Sequence, residues 1–581
     1  MKTFAHHPLV LWTLFACLTH CFYLRNVESQ ENTRTAADMV FLDTKILQCD
    51  AAMSEADAVA IKDGRIVALG KEQVAEWIDS AKTKVVQANG LTATAGFADS
   101  HLHFVGLGKS LQMLDLRDAK SWEEIVGMVH EAAKQLPAGT WIEGRGWHQS
   151  KWNAEPEGSV DGYPSHQSMS RLVPEHPVVL THASGHACFA NAAAMKLANI
   201  SKESKDPPGG EILKDLAGEP IGVFRENAQS AIRRAQARSE RRGGDEYRKL
   251  MVEQIRLAGA QCLKYGITSV HDAGSSFGLA EEFAQLAEAG ALPVRVFMMI
   301  RTGSTELASR MPTSKRIGVG ESFFTVRSVK VSIDGALGPH GAWLLQPYSD
   351  LTTSSGLNTV EISELQRIAD LCTKYGWQLC VHAIGDRANR EVLDTFEAAL
   401  GSAVKSDHRW RIEHAQHLAP EDIPRFGQMG VIPAMQANHC TSDAIFVPTR
   451  LGERRSQEGA YVWRSLIDSG AIIPNGTDAP VERIDPRVSL YAAVTRKLSN
   501  GQAFYPEQCM TRAEGLLSYT LWPAKAAFQE RELGSIEIGK RADLVFWDRD
   551  LLRCEPEQIL EAKVEMTVLN GKRVYTADST N

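Results

Sequence analysis

The chain has 581 residues, which excludes a peptide-sized module and leaves room for one large barrel with additions or for roughly four domains of about 150 residues. With 44% hydrophobic and 23% charged residues it has the make-up of a globular protein with a sizeable core, not of a disordered, collagen-like or mostly membrane-embedded chain. Lys plus Arg total 63 against 71 Asp plus Glu, a formal net charge of −8 with no basic stripe, so no nucleic-acid partner is expected.

At the amino terminus, Lys2, an apolar stretch over 8–18 and the step Val27-Glu28-Ser29 read as the charged, apolar and small-residue parts of a secretory signal, predicted over residues 1–29. The apolar run falls short of the about 20 residues a membrane span needs; extended through 21–24 it reads alternatively as an uncleaved anchor. The expected location is therefore exported (periplasmic, secreted or membrane-anchored), with any membrane contact made only through this segment. Ten cysteines, two of them in the leader, show no Cys-x-x-Cys spacing, and Cys188, Cys372 and Cys380 sit in apolar surroundings expected to bury inert thiols.

Residues 38–95 read as short strands with turn signals. Ala58-Val59-Ala60-Ile61 and Ile66-Val67-Ala68-Leu69 flank an Asp63-Gly64 pair, a strong hairpin signal. The same texture returns over 526–578, with an Asn570-Gly571 turn, and the two flanks are expected to form one composite β-sandwich. Between them, strand-like runs alternate with helical stretches such as 245–265, 361–376 and 387–400, the pattern of parallel strands covered by helices. Eight runs (93–103, 267–272, 294–300, 329–334, 378–382, 411–414, 431–436 and 471–478) suffice to close an α/β fold of the (β/α)₈ TIM-barrel class, predicted over 96–111 and 226–525. The gap over 112–225, after the first barrel strand, has its own strand-like runs at 141–143 and 178–180. It is assigned to an inserted substructure at the active-site mouth.

The positions of the 18 histidines matter more than their number. His101 and His103 flank Leu102 at the end of the first barrel run, and residues i and i+2 of a strand project to one side, so both imidazoles can reach one metal. His382, His414 and Asp478 end three other runs. In a parallel barrel all strand carboxyl ends lie on the face that carries the chemistry. A lone strand-end histidine is usually a hydrogen-bonded structural group, but five donors converging on one rim point to a metal. Lys330 sits inside Val329-Lys330-Val331, where a buried ammonium is costly unless it pairs with Asp334, faces outward, or loses its proton and reacts with carbon dioxide to give a metal-bridging carbamate.

Ala95-Gly96-Phe97-Ala98-Asp99-Ser100-His101-Leu102-His103, the strand Lys330, His382, His414 and Asp478 resemble, in this order, the pattern of the amidohydrolase superfamily. More narrowly, Val381-His382-Ala383-Ile384-Gly385-Asp386-Arg387-Ala388, Arg411-Ile412-Glu413-His414-Ala415-Gln416, Gly476-Thr477-Asp478-Ala479-Pro480, Gly144-Arg145-Gly146-Trp147 and Gly539-Lys540-Arg541-Ala542-Asp543-Leu544-Val545 resemble amidohydrolase family 3, the YtcJ-like group that includes N-substituted formamide deformylase. The resemblance covers about 38–575. It implies a barrel with a composite β-sandwich, one or two divalent metal ions, commonly zinc, and hydrolysis of a carbon–nitrogen bond other than a peptide bond. On that basis His101, His103 and Asp478 are assigned to a first metal, His382 and His414 to a second, and carbamylated Lys330 to the bridge. Such a site leaves a position for water, whose pKa the metal lowers toward about 7. Asp478 is the expected general base, returning the proton to the leaving amine.

Trp147, His186, His271, Trp343 and His439 are further candidates for substrate contact; the alternative for each is a scaffold role in packing or hydrogen bonding, which is favoured for His271. The expected substrate is a small amide, an N-formyl or N-acyl amine. A deaminase or cyclic amidase of the same superfamily would use the same water, and a non-catalytic metal-binding protein on an inherited barrel stands as a third reading, disfavoured by the complete donor set. Oligomeric state is not readable from the sequence.

Overall fold

The computed structural model describes residues 36–239 and 244–577; the leader expected over 1–29 lies outside them. No described helix is long and apolar enough to cross a membrane.

The central element is a ring of parallel strands in sequence order: Phe97–Leu102, Ile267–Ser275, Arg295–Ile300, Phe324–Ser332, Gln378–Ala383, Arg411–His414 and Ile432–Ala434. A short strand, Arg316–Gly318, adds an antiparallel partner to the fourth. The eighth run, 471–478, closes the ring without being a regular strand. Met435 N–H donates to Pro474 O (3.2 Å) and Ser100 N–H to Asn475 O (3.0 Å), while Asp478 N–H donates to His101 O (2.7 Å). Two residues prevent a regular ladder here: Pro474 has no N–H, and Asp478 turns into the left-handed region at φ 54.

Helices return the chain between strands, and their apolar spacing explains their faces. In Ile362–Tyr375, Leu365, Ile368, Ala369 and Cys372 are buried at i, i+3, i+4 and i+7, and the left-handed Gly376 ends the helix by donating to Cys372 O. Gly244–Lys264 and Asp386–Leu400 follow the same logic.

The first predicted run, 93–103, divides into two strands with different duties. Thr92–Ala95 joins a six-stranded sheet with Lys45–Leu47 from the amino-terminal flank and Leu544–Trp547 from the carboxyl-terminal one, whereas Phe97–Leu102 opens the barrel. The break falls at Gly96, whose N–H donates to Asp543 O (2.9 Å) and where a Cβ would lie 2.2 Å from Thr268 Oγ1. A second sheet of four strands, all from the amino-terminal flank, completes the composite layer; it contains the Val59–Lys62 and Arg65–Leu69 hairpin. Barrel and sandwich are locked by a buried bidentate pair, Arg295 Nε to Asp543 Oδ2 at 2.7 Å and Nη2 to Oδ1 at 2.9 Å.

After the first barrel strand the chain builds a six-stranded mixed sheet from Leu114–Asp115, Ile142–Trp147, Val178–His182, Ala187–Ala190, Gly210–Lys214 and Pro220–Glu226. It has its own core around Trp122, Trp147, Met169 and Phe189. Its strands lead His182, His186 and Glu226 toward the open end of the barrel.

Candidate metal centre

His101, His414 and Asp478 come together at the carboxyl-terminal rim: each offers one donor atom, and these atoms lie within 4.8 Å of one another. His103 Nε2 lies 3.3 Å from Asp478 Oδ1 and His101 Nε2 lies 3.7 Å from the same oxygen. His414 stands between the two sets expected from the sequence, its ring centroid 4.7 Å from that of His101 and 4.5 Å from that of His382. Among the described residues, His101 Nε2, His382 Nε2 and Asp478 Oδ1 are buried without a hydrogen bond of regular geometry. Buried polar atoms left bare are costly, and the donor atoms of His101, His414 and Asp478, gathered within 4.8 Å, suit a cation.

The imidazoles of His101, His414 and His382 are biased toward the neutral form, as metal ligation requires. Burial, followed by the charge of Lys330, pushes His101 down to about 4. Burial with His101 nearby lowers His414 well below its ordinary value, and burial with His414 nearby does the same to His382. Asp478 goes the other way: burial opposes its ionisation, yet His103, His101 and His414 hold it well below the usual carboxylate range.

Glu413 was not read as a site residue from the sequence, yet it organises the centre. Its carboxylate accepts from His101 Nδ1, which leaves Nε2 as the lone-pair nitrogen facing the other donors. Arg411 holds it with Nε at 2.7 Å from Oε1 and Nη2 at 3.0 Å from Oε2. Burial resists the charge on Glu413, but Arg411 and His101 keep it well below the ordinary range. Strand alternation would place consecutive residues on opposite faces, so an inward Glu413 implies an outward His414. The backbone overrides this: His414 and Ala415 adopt left-handed φ of 75 and 43, re-aiming His414 into the barrel. Such strained positions concentrate at functional sites.

Lys330 is 3% exposed and lines the same cavity, and no carboxylate lies within ion-pair distance of it among the described residues. The expected alternative, a salt bridge to Asp334, is not formed. Asp334 instead accepts backbone N–H bonds from Trp343 (3.0 Å), Ile384 (3.0 Å) and Gly385 (2.8 Å) and lies 3.3 Å from His382 Nε2. Burial pushes the Lys330 amine down to about 8.

Of the five substrate-contact candidates, two line the cavity at the centre. His439 lies 3.9 Å from Asp478 Oδ2, and His186 brings its ring centroid to 5.1 Å from His382. The other three are placed elsewhere. Trp147 is fully buried in the insert, its Nε1 donating to Leu180 O at 2.9 Å. His271 lies beneath the centre, its Nδ1 accepting from Arg411 Nη1 at 3.0 Å. Trp343 packs against the Arg387 guanidinium. Glu226, the other residue missed, accepts from His186 Nδ1 at 2.8 Å, while its Oε1 is buried and bare. It fits only because positions 335 and 341 are glycines, where a Cβ would lie 2.1 Å and 2.7 Å from that oxygen.

Comparison with known proteins agrees with this architecture. The chain is 30% identical to the putative amidohydrolase YtcJ of Bacillus subtilis (strain 168), covering 89% of this chain and 96% of that one. It is 28% identical to the N-substituted formamide deformylase of Arthrobacter pascens, over 93% of this chain and 98% of that one. The crystal structure of an uncharacterized metal-dependent hydrolase from Pyrococcus horikoshii OT3 superposes with a TM-score of 0.71 at 26% identity, covering 89% of this chain and 99% of that one. Residues 84–575 match the amidohydrolase family, and the chain belongs to it.

Proposed function

We propose that this protein hydrolyses the carbon–nitrogen bond of a small amide, an N-formyl or N-acyl amine, with the help of one or two divalent metal ions. The observation that carries the reading is the convergence of His101, His414 and Asp478, whose buried donor atoms lie within 4.8 Å of one another on one rim of the barrel, with His382 beside His414. Imidazole and carboxylate donors suit zinc. When bound, such an ion supplies Lewis acidity toward the amide carbonyl and lowers the pKa of a water.

The residues would divide the work as follows. His101, His103 and Asp478 would hold one ion and His382 and His414 a second, and Lys330, once its neutral amine has added carbon dioxide and released a proton, would offer carbamate oxygens to both. The closeness of His414 to His101 and Asp478 also supports a one-ion site built on those three. Asp478 takes the proton from the attacking water and passes it to the leaving amine. His439 and His186 flank the position of the acyl group, and Glu413 keeps His101 in the tautomer that presents Nε2. The similarity to an N-substituted formamide deformylase supports an amide over a ring-amine substrate.

Metal content of the purified protein, combined with a hydrolysis panel of N-formyl amines, N-acyl amines, cyclic amides, esters and aminopurines, tests the reading. Cleavage of open-chain amides by metal-replete protein is expected. Metal-replete protein inert toward the whole panel would favour a binding role, and activity confined to aminopurines or cyclic amides would favour deamination or ring opening.

A further inference from the structure

Two cavities meet at the candidate centre. The larger, about 810 Å³, has an apolar wall that includes Ala336, Phe446, Val481, Val488 and Leu498. The smaller, about 500 Å³, is polar, and Ser184, His186, His414, Asp478 and Val481 line both. A substrate whose reacting bond sits at Asp478 therefore has one end in each.

The charges of the smaller cavity do not balance. Its carboxylates are engaged: Glu226 through His186, Asp334 through three backbone N–H groups, and Asp478 among the candidate ligands. Among its cations, Lys109 pairs with Glu143 at 2.8 Å, and Arg233 lies 3.8 Å from the same carboxylate. Arg145 donates only to backbone carbonyls, Nε to Pro480 O at 3.0 Å and Nη2 to Ala183 O at 3.4 Å. The guanidinium of Arg301 has no acceptor at all among the described residues. Its side chain is exposed to the cavity, and its stem runs beside Lys330 over Gly274, where a Cβ would lie 3.1 Å from Arg301 Cδ and 3.7 Å from Lys330 Cγ. Glu226 lines the same cavity with the carboxylate that accepts from His186, its other oxygen being packed against Gly335 and Gly341. Guanidinium is the side chain best matched to a carboxylate.

We propose that the smaller cavity is an anion subsite in which Arg301 binds a carboxylate of the substrate. Given the hydrolase reading above, on which this rests, the substrates are small amides with a carboxylate on one side of the scissile bond and an apolar group on the other.

Two matched pairs test this: N-phenylacetyl-β-alanine against its primary amide, with the acid on the amine side, and N-benzylsuccinamic acid against its primary amide, with the acid on the acyl side. Expected is at least a tenfold preference in kcat/KM for the acid of one pair. That preference should fall below threefold in Arg301→Gln and be partly kept in Arg301→Lys. Because the preference is a ratio within one variant, a general loss of fold or activity cancels. No acid preference in either pair, or a preference unchanged in Arg301→Gln, overturns the subsite. If none of the four is cleaved, calorimetric binding to the metal-loaded full chain decides. Acid-selective binding abolished by Arg301→Gln retains the subsite and retires the hydrolase reading; equal or absent binding overturns the subsite itself.

Discussion

The carboxylate of Glu413 accepts a hydrogen bond from His101 Nδ1 across 312 positions of sequence, so that a residue of the sixth barrel strand sets the tautomer of a residue on the first. Outer partners of this kind typically govern metal affinity by about 10–100-fold. Glu413→Gln keeps the shape but loses the charge, and its affinity for zinc should drop by that factor, read by titration against a competing chelator. Unchanged affinity would reduce Glu413 to a partner of Arg411.

Asp478→Asn, assayed in metal-saturating buffer, should lower kcat by about 10²–10⁴-fold, the usual contribution of a positioned base. Retained metal with near-full turnover would remove Asp478 from that role.

Lys330 gives a pH-dependent expectation for the metal-free protein. Its pKa falls from an ordinary 10.5 to about 8 because burial penalises the charged form. The penalty is absent above pH 10.5, grows as pH falls toward 8, and is constant below that. Lys330→Met should therefore be more stable than the parent by about 3 kcal/mol at pH 7, with the advantage shrinking between pH 8 and 10.5. Urea unfolding in chelator at several pH values measures this, and a difference that does not vary with pH would contradict it. If Lys330 is carbamylated as proposed, the same variant should lose metal and activity, with partial rescue by short carboxylic acids standing in for the carbamate oxygens.

His186 reaches the centre from the insert, held by Glu226. If it hydrogen-bonds substrate, His186→Asn should raise KM about tenfold, equivalent to one hydrogen bond, with metal content unchanged. Loss of metal instead would mark His186 as a ligand.

Asp543→Ala strips the buried Arg295 guanidinium of its bidentate partner and should destabilise the protein by about 3–5 kcal/mol, read from the urea midpoint. Replacing both residues with apolar ones of similar volume should recover most of that loss.

The parts of the fold that follow simple periodicity were legible in the sequence. The helices at 244–264, 362–375 and 386–400 and the strand ends at His101, His382 and His414 fall within a residue or two of expectation. What was not legible lies where local rules are broken. Strand alternation credits either Glu413 or His414 with an inward side chain but not both, and only the left-handed turn at His414 admits the pair. The one available signal was a charged Arg-x-Glu step inside a short strand that is buried throughout. Glu226 was hidden in the same way, on a left-handed residue at φ 47 above two glycines distant in sequence. Trp147, in the Gly144-Arg145-Gly146-Trp147 motif, and Trp343, after the fourth barrel strand, are candidates by position in the sequence, whereas in the structure Trp147 packs in the insert's own core and Trp343 N–H donates to Asp334.

The pairing of Thr92–Ala95 with Leu544–Trp547 bears on how the molecule is made. The strand carrying His101 continues from one whose neighbour is synthesised some 450 residues later, so an emerging chain cannot assemble the first barrel strand against its final support until translation is almost complete. The insert and the middle strands are free to collapse first, whereas the centre waits for the carboxyl terminus. Nonsense changes near the end of the coding region are thus expected to abolish metal binding in a region they never touch.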